Sequence, residues 1–498
     1  MNTNIFHSGL AAVASLAGLL LIAGCSAFQD MECLKEQPVK EASEGFMDNA
    51  ENIESVLFSS YYQLKRYNCF SRYYPIIVEA MSDYCNGNGS YASASNYEGL
   101  DPTLISRTND VWACMYRAIR FANIVILNAP DAQQASAEEI EQLVAEARFI
   151  RAFTYLHLAQ NWGAVPLVTE ENMHQSGDIS YPRTPVKDIY ALCESDLLYA
   201  AAHLPDKAKM VGRPQKMTAN TVLTEVYLLE EKWTEAAAAG KAVIDSKNYS
   251  LVEVSVPDDF YNLYSPDLVS STEEIFYLKY SDSFDKSYGS CFAAMYHRGG
   301  QQYFNGSNYY GIYSTYDNPR ISGWDDNDLR KAFNVYEADA DGEIWVMNKK
   351  FTATKANGDA AGNDYPMYRY ADLLLYYAEA ACRAAGAPTS EALEALNMVH
   401  RRAYGKPSTV ADPSVDYRLA DYPTAEKFIE LVLRERLYET CYEGKRYNDL
   451  KRVGKLAEYV LEAKGIAVKD GGYWFPIPND EFLYNKGMDV SKDQNPGY

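Results

Sequence analysis

The sequence has few of the features from which enzyme active sites are usually recognised. Its 498 residues include only six histidines, which are scattered, and contain no GxSxG, HExxH, GxGxxG or phosphate-loop motif. The nine cysteines include no CxxC pair, so a cysteine-based metal site is not indicated. We therefore predict no catalytic residues, no metal ligands and no cofactor.

Basic residues are scarce relative to acidic ones. Lysine and arginine together number 46, against 68 aspartates and glutamates, which gives a formal net charge of −22. A protein of this charge is repelled by phosphate backbones and by anionic lipid headgroups. The composition therefore argues against nucleic acid, and against a charged membrane surface, as the main partner.

A hydrophobic run near the N-terminus ends at a cysteine. Residues 9–24 are uncharged, and Ala23 and Gly24 lead directly into Cys25. The run is shorter than the roughly 20 apolar residues that cross a bilayer, but it has the length of a secretory h-region. Its end resembles the bacterial lipobox, in which cleavage leaves a cysteine that carries acyl chains, although residues 1–7 contain no lysine or arginine.

These features predict a lipoprotein signal peptide at 1–24 and a lipidated tether at 25–45, attached to a membrane through Cys25. Each buried methylene of an acyl chain contributes about 0.8 kcal/mol, so two or more chains hold a protein on a membrane without a spanning helix. The alternative interpretation is an ordinary signal peptide in which Cys25 has no role.

Helical periodicity covers most of the remaining chain. Apolar residues recur at three- and four-residue spacing over 50–67, 107–128, 136–161, 186–203, 217–231, 233–246, 370–386, 389–403 and 425–442. Several of these segments are separated only by short turns and so form helix pairs. The pattern predicts a mostly α fold with tetratricopeptide-like stacking, although no strict 34-residue repeat is visible.

Two long segments interrupt this pattern. Residues 82–106 and 252–365 are rich in Gly, Asn, Ser, Asp and Tyr, with short strand-like runs such as EIFYLKY and EIWVMNKKF. Tyrosine is unusually common in the chain, at 42 residues against 18 phenylalanines. Because irregular insertions on a rigid scaffold commonly carry function, we expect the binding site on these two insertions.

Six segments follow one another in order between about residue 45 and the C-terminus. They are AEARFIRAFTYLHLAQNWGAVPLVTE (145–170), YPRTPVKDIYALCESDLLYAAAHLP (181–205), GRPQKMTANTVLTEVYLL (212–229), YPMYRYADLLLYYAEA (365–380), FIELVLRERLYETCYEGKRYNDLKRVG (428–454) and the closing YWFPIPNDEFLYNKGMDVSKDQNPGY. Together they resemble the signature segments of the SusD/RagB family of nutrient-binding outer-membrane lipoproteins.

The resemblance implies one SusD-like domain at 46–498, a helical scaffold that carries the two insertions and few short strands. It also implies a protein on the outer membrane, facing outside, that binds a glycan and serves as a lid on a SusC-like TonB-dependent transporter. Some family members bind peptides, so peptide cargo stays an alternative. An anchored glycoside hydrolase and a purely structural surface protein are further alternatives.

Sugar binding requires aromatic rings for the apolar faces of the pyranose and polar side chains for its hydroxyls. Both insertions have this composition. The candidates are Asp83, Tyr84, Asn86, Asn88, Tyr91 and Tyr97 in the first insertion, and Tyr303, Phe304, Tyr309, Tyr310, Tyr313, Tyr316 and Trp324 in the second. We expect 82–106 and 300–326 to lie together, facing the transporter. The alternative for any single tyrosine is loop packing or transporter contact.

Several charged groups could be mistaken for active sites. Glu435, Glu439 and Glu443 recur every four residues and so share one helix face, which predicts a buried ion network rather than an acid–base pair. Arg148 and Arg151 are predicted to meet Asp196 or Glu379. A hydrolase would instead use the acidic cluster Asp317, Asp325, Asp326 and Asp328.

Three further interpretations concern packing. Residues 337–348 resemble a calcium loop, but Glu337 and Asn348 stand at its first and last ligand positions, so a hairpin turn at Asp341-Gly342 is favoured. Trp112 and Trp162 are predicted to be packing residues. A disulfide between Cys69 and Cys85 is left open.

Overall fold

The computed structural model describes residues 45–173, 179–281, 288–297, 302–306, 311–340, 342–356 and 358–498. The signal peptide predicted at 1–24, and Cys25 with nearly all of its tether, lie outside the described residues and stay predictions. Among the helices within the described ranges, none is long and apolar enough to span a membrane.

The fold is mostly α-helical, as the periodicity predicts. In chain order the helices are α1 Ala50–Lys65, α2 Tyr73–Ala80, α3 Ala92–Ser95, α4 Pro102–Asn128, α5 Ala137–Trp162, α6 Val186–His203, α7 Lys216–Leu229, α8 Trp233–Ser246, α9 Tyr261–Tyr264, α10 Pro319–Ser322, α11 Leu329–Asn334, α12 Tyr370–Ala385, α13 Ser390–Ala403, α14 Ala425–Thr440, α15 Arg446–Arg452, α16 Leu456–Lys464, α17 Asn479–Tyr484 and α18 Val490–Asp493. All nine predicted helices are present, with ends within a few residues of those expected.

Local sequence explains where the main helices begin and end. The Asn49 side chain accepts a hydrogen bond from the Asn52 amide and caps α1, and Asp101 caps α4 in the same way. Ser136 and Glu139 form a reciprocal capping box at the start of α5. Helix α12 ends at Gly386, whose φ of +70° suits glycine.

The helices stack in chain order. Helix α4 packs against α1 and α5, α5 against α6, α6 against α7, α7 against α8, and α12 against α8, α13 and α14. Close approach depends on small residues: a Cβ at Gly240 of α8 would lie 3.3 Å from the Cβ of Tyr377 on α12 and 3.4 Å from Thr224 on α7. This is the tetratricopeptide-like scaffold that the sequence predicts. Its buried apolar residues form one cluster.

The strands are short and lie mainly in the insertions. They are β1 Asn86–Gly87, β2 Val165–Pro166, β3 Arg183–Thr184, β4 Glu274–Leu278, β5 Ile312–Tyr313, β6 Val335–Ala340, β7 Glu343–Asn348 and β8 Tyr365–Arg369. They pair antiparallel as β1 with β5, β2 with β3, β4 with β8 and β6 with β7. The β6–β7 hairpin confirms the turn predicted at Gly342, which has a φ of +93°; Asp341 itself lies outside the described residues.

The predicted ion network is present in the interior; Glu435 and Glu439 lie on α14, whereas Glu443 follows the end of this helix at Thr440 and so does not share its face. Glu439 lies 2.7 Å from both Arg369 and Arg402, and Glu443 lies 2.8 Å from Arg369 and from Lys350. Every one of these side chains is buried. Because each charge has opposite charges beside it, the network is structural, and its carboxylates are not accessible to a substrate.

The remaining packing predictions can be placed as well. Arg151 and Arg148 both contact Asp196, at 2.7 and 3.3 Å, so the first of the two predicted partners is confirmed. Glu379 pairs with other arginines. Trp112 and Trp162 pack against each other in the interior. Cys69 and Cys85 are buried free thiols, so the disulfide left open is not formed.

Candidate functional site

The two insertions meet, as the sequence predicts. Strand β1 pairs with β5, which sets Asn86 opposite Tyr313. The hydroxyl of Ser314 donates to the carbonyl of Tyr84 at 2.7 Å, and the Asn318 side chain donates to the carbonyl of Asp83 at 2.9 Å. The residues that join the insertions are therefore largely the ones expected to bind ligand.

Four of the six predicted ligand residues of the first insertion, Asp83, Tyr84, Tyr91 and Tyr97, are buried at this junction, and Asn86 and Asn88 are half-buried. Asp83 accepts hydrogen bonds from Arg446 and Arg320, each at 2.9 Å, and these arginines hold the pKa of its carboxyl below its ordinary value despite burial. The hydroxyls of Tyr84 and Tyr97 donate to Glu79 and to the Met81 carbonyl.

Tyr91 is buried, and the guanidinium of Arg107 lies over its ring, 4.3 Å from the ring centre. None of the four side chains offers an open face, which corrects the expectation that they form a sugar platform. The sequence shows the aromatic composition but not which rings the junction covers.

The second insertion gives a mixed result. Trp324 is buried, its ring stacked on Tyr438 at 4.5 Å and its Nε1 donating to Asp328 at 2.9 Å, so it is a packing residue rather than the expected platform. Tyr309 and Tyr310 lie outside the described residues. Tyr303 is half-buried, with its ring centre 4.6 Å from that of Tyr336.

Partly exposed rings remain on the β6–β7 hairpin. Trp345 of β7 stacks face to face on Tyr313, with ring centres 3.8 Å apart and planes inclined by 11°. Trp345 and Tyr336 share one face of the hairpin because the register sets Ala338 opposite Trp345 and Tyr336 opposite Met347. We call Tyr303, Tyr313, Tyr336 and Trp345 the hairpin face. The two-residue alternation of EIWVMN would have placed Trp345 there.

A deeper site that the sequence reasoning missed lies beside the first helices. We call it the aromatic cleft. It encloses about 720 Å³ and is lined by Phe58, Tyr61, Tyr62, Lys65, Arg66, Tyr67, Asn68, Tyr73, Asp110, Met210, Tyr280 and Tyr288. Its volume is within the range of small-molecule and cofactor sites. The rings of Tyr62, Tyr67 and Tyr288 are 52%, 41% and 54% exposed, which is unusual for so many neighbouring aromatic side chains.

The periodicity of α1 explains why aromatic rings face outwards here. Leu57 and Leu64 are spaced to face the core and are fully buried, whereas Phe58 and Tyr62 lie four residues apart on an exposed stripe. Helix α1 then ends at Lys65. The sequence of α1 therefore carries two apolar stripes. The scaffold buries the stripe that contains Leu57 and Leu64, and it leaves the stripe that contains Phe58 and Tyr62 exposed.

Arginines and tyrosines alternate along the rim of the cleft. Arg72 lies 4.9 Å from the ring centre of Tyr67, and Tyr67 meets Tyr73 edge to face at 5.6 Å. Arg107 follows, at 5.4 Å from the ring of Tyr73 and 4.3 Å from that of Tyr91. These contacts extend the surface of the cleft from the loop after α1 to the first insertion. The cation–π contacts among them hold the tyrosine rings in position.

Buried polar contacts stabilise the floor of the aromatic cleft. The buried hydroxyl of Tyr61 donates to Glu146 at 2.5 Å, and burial followed by the Glu146 charge raises the pKa of Tyr61 well above its ordinary value. Burial lowers the pKa of Lys65, although the nearby Asp364 opposes this. The Lys65 ammonium lies 5.3 Å from the ring centre of Tyr280.

The cleft does not hold a pair of carboxylates. Asp110 is the only acidic side chain among the described residues that line it. Glycoside hydrolysis normally requires two carboxyl groups that flank the scissile bond. The acidic cluster Asp317, Asp325, Asp326 and Asp328 lies elsewhere. Asp328 pairs with Arg330 at 2.7 Å and Asp326 with Lys331 at 2.5 Å, and Asp325 accepts a hydrogen bond from Tyr404 at 2.9 Å.

Two family models match the chain. One is described as the SusD family and matches residues 245–498; the other is described as starch-binding associating with outer membrane and matches residues 32–228. SusD-like protein P2 of Formosa agariphila is 25% identical over 520 residues, covering 96% of this chain and 98% of that protein.

Solved structures share the fold. A SusD homolog from Bacteroides thetaiotaomicron superposes with a TM-score of 0.79 at 22% identity, over 91% of this chain and 98% of its own. A laminarin-binding SusD-like protein gives a TM-score of 0.72 at 22% identity, over 91% and 100%. Surface glycan-binding protein A from Bacteroides thetaiotaomicron gives 0.73 at 20% identity, over 91% and 100%.

Proposed function

Because the chain belongs to the SusD family, we propose that it is a non-catalytic lipoprotein of the outer membrane that binds a glycan and delivers it to a SusC-like TonB-dependent transporter. The observation that carries this proposal is the aromatic cleft, in which exposed tyrosine rings surround a depression of about 720 Å³. Tyrosine offers a flat apolar face to the C–H side of a pyranose and a hydroxyl to its polar edge.

The choice of glycan over peptide is supported by the structural relatives. Two proteins with this fold are named for binding laminarin and for binding glycans. The exposed rings of Tyr62, Tyr67 and Tyr288 suit a chain of stacked sugar rings better than an extended peptide, which would seek backbone partners at a strand edge. Peptide cargo is the second candidate, since the resemblance admits it.

The proposed anchor and partner follow from the predicted lipobox and the family. A lipidated Cys25 would tether the protein while the helical scaffold stays outside the bilayer. The match to a family described as associating with the outer membrane supports this location. A lid on a transporter has to hold its ligand near their contact, and we propose that the joined insertions face the transporter.

The proposed activity is tested by presenting the purified full-length protein in detergent with a panel of oligosaccharides and polysaccharides, and with casein peptides as the alternative cargo. We expect retention of at least one glycan and no increase in reducing ends after prolonged incubation. Release of reducing ends would contradict the non-catalytic role. Retention of peptides with no glycan bound would favour the second candidate.

The proposed partner has its own test. Gentle detergent extraction of native membranes followed by affinity purification is expected to recover a large β-barrel protein together with this lipoprotein. The double variant Ser314→Ala, Asn318→Ala removes two side-chain hydrogen bonds that join the insertions, and it probes whether their junction matters for that recovery. Consistent isolation of the lipoprotein alone would count against the transporter.

A further inference from the structure

The aromatic cleft is positively charged, although the protein as a whole carries a net charge of −22. Lys65 and Arg66 line the cleft, and Arg107 borders it through its contact with Tyr73. Against these three cations stands one carboxylate among the described residues that line the cleft, Asp110.

These cations are not neutralised by the protein. Within the described part of the chain, none of the three has a carboxylate oxygen within 4.0 Å, the limit for an ion pair. Arg107 instead donates to the carbonyl and hydroxyl oxygens of Ser90 at 3.3 and 2.9 Å, and Arg66 contacts the neutral Gln63 at 3.4 Å. The charge of Asp364 acts on Lys65, but the carboxylate of Asp364 already forms an ion pair with Lys279 at 2.7 Å.

Most of the other described arginines pair with carboxylates. Arg369 in the interior contacts three carboxylates and Arg402 two, and even the exposed Arg418 pairs with Asp421 at 3.0 Å. Arg183 and Arg434 are exceptions, since they donate to amide and tyrosine oxygens. The cations of the cleft are distinguished by their position, because they lie beside exposed aromatic rings and only one carboxylate is among the described residues that line the cleft. This arrangement suits a ligand that carries an anion of its own.

The cation–π contacts give these charges fixed positions. Arg107 is held between the rings of Tyr73 and Tyr91, at 5.4 and 4.3 Å, so less side-chain entropy is lost when it engages a ligand. A guanidinium matches the planar, two-oxygen edge of a carboxylate or the oxygens of a sulfate ester. Adjacent exposed rings bind the sugar face at the same time.

We infer that the aromatic cleft takes an acidic saccharide, one whose sugar rings carry carboxylates or sulfate esters. The inference rests on the proposed glycan binding and names its substrate class. The rings of Tyr62, Tyr67 and Tyr288 supply stacking surfaces, and Lys65, Arg66 and Arg107 supply the counter-charges. A local positive field in a strongly negative protein also concentrates anionic ligands at this one place.

The test compares acidic polymers with neutral forms of the same backbone. Purified full-length protein in detergent is titrated with polygalacturonate and its fully methyl-esterified form, and with chondroitin sulfate and its desulfated, carboxyl-reduced form. We expect at least one acidic polymer to bind about tenfold more tightly than its neutral form, as charge-assisted hydrogen bonds require. Raising the salt to about 0.5 M should reduce this preference. A response of polygalacturonate identifies carboxylate; a response of chondroitin sulfate is assigned by its desulfated form with the carboxylates kept, which loses binding only if the sulfate esters are recognised.

Variants tie the preference to the cleft. Arg66→Gln should lower affinity for the acidic polymer about three- to tenfold more than affinity for its neutral form, so the ratio of the two affinities falls. Arg66→Glu should lower this ratio further. Arg418→Gln, whose partner is Asp421, is the matched control and should have no effect. Circular dichroism of each variant confirms the fold.

Three results would overturn the inference. Equal affinity for acidic and neutral forms, or preference for a neutral glycan, would refute the acidic class and leave the proposed function standing. Binding of polyglutamate as tight as that of the best polysaccharide would show that charge alone is recognised. Failure to bind any glycan, acidic or neutral, would remove the proposed function together with this inference.

Discussion

Tyrosine serves two different purposes in this protein. In the interior, the hydroxyls of Tyr84 and Tyr97 donate to a carboxylate and to a backbone carbonyl, which satisfies a polar group that burial would otherwise leave without water. On the cleft, the rings of Tyr62 and Tyr67 stay exposed. The same residue type therefore stabilises the junction of the insertions and forms the surface proposed to bind ligand.

One of the histidines, His157, gives a prediction for the pH dependence of stability. His157 lies among Phe70, Phe153 and Tyr74, and burial lowers its pKa from 6.5 to about 3. The unfolded chain takes up this proton near pH 6.5, whereas the folded protein does not, so acid favours unfolding across that interval. The stability that neutral His157 contributes is present at neutral pH and is lost as the pH falls from about 6.5 towards 3.

The variant His157→Phe should remove this contribution to the pH dependence. Below pH 6.5, the free energy of unfolding of the wild type should fall relative to that of the variant by about 1.4 kcal/mol per pH unit. Urea unfolding at several pH values measures the difference. Loss of the hydrogen bond between His157 and Tyr74 shifts the variant by a constant amount. Two curves that run parallel between pH 6.5 and 4 would refute the prediction.

At the level of secondary structure, the sequence predicts the helices well because their signal is local. The stretches that became α5 and α12 carry their own caps and apolar stripes, and no distant contact is needed to recognise them. The short helices α2, α15 and α16 were not predicted, since each is shorter than three turns and ends in segments that tertiary contacts define.

The insertions show why the site itself was harder to predict. Trp324 and Tyr97 have the composition of a sugar platform, yet contacts with residues far along the chain bury them. Conversely, the periodicity predicts Tyr62 only as part of a helix, and its side chain is exposed because no described element covers that face of α1. Composition indicates which residues could bind, whereas burial depends on long-range packing that a single sequence does not display.

Helix α14 carries a prediction about stability. Glu439 contacts Arg369, Arg402 and Arg330 in the interior, so Glu439→Gln leaves buried positive charge without its partner. We expect the free energy of unfolding to fall by about 3–5 kcal/mol. Glu430→Gln, an exposed position on the same helix, is the control and should change it by less than about 0.5 kcal/mol. Equal midpoints of urea unfolding for the two variants would contradict an ion network that stabilises the fold.

At the scale of the whole molecule, attachment to the membrane should depend on one residue. Cys25→Ala is expected to abolish incorporation of labelled palmitate and to shift the protein from the membrane fraction to the soluble fraction, because no helix within the described residues could span a bilayer. Cys33→Ala is the matched control, since it lies in the same predicted tether. Continued labelling of the Cys25 variant would refute the lipobox interpretation.

The account as a whole depends on where the ligand binds. Calorimetry with a confirmed glycan should compare the wild type with the double variant Tyr62→Ala, Tyr67→Ala, with Trp345→Ala on the hairpin face, and with Tyr484→Ala as an exposed tyrosine away from the cleft. Each aromatic stack contributes about 1 kcal/mol, so the double variant should bind about 30-fold more weakly, while Trp345→Ala and Tyr484→Ala keep full affinity. Full affinity in a correctly folded double variant, or loss of binding confined to Trp345→Ala, would contradict the cleft as the glycan site.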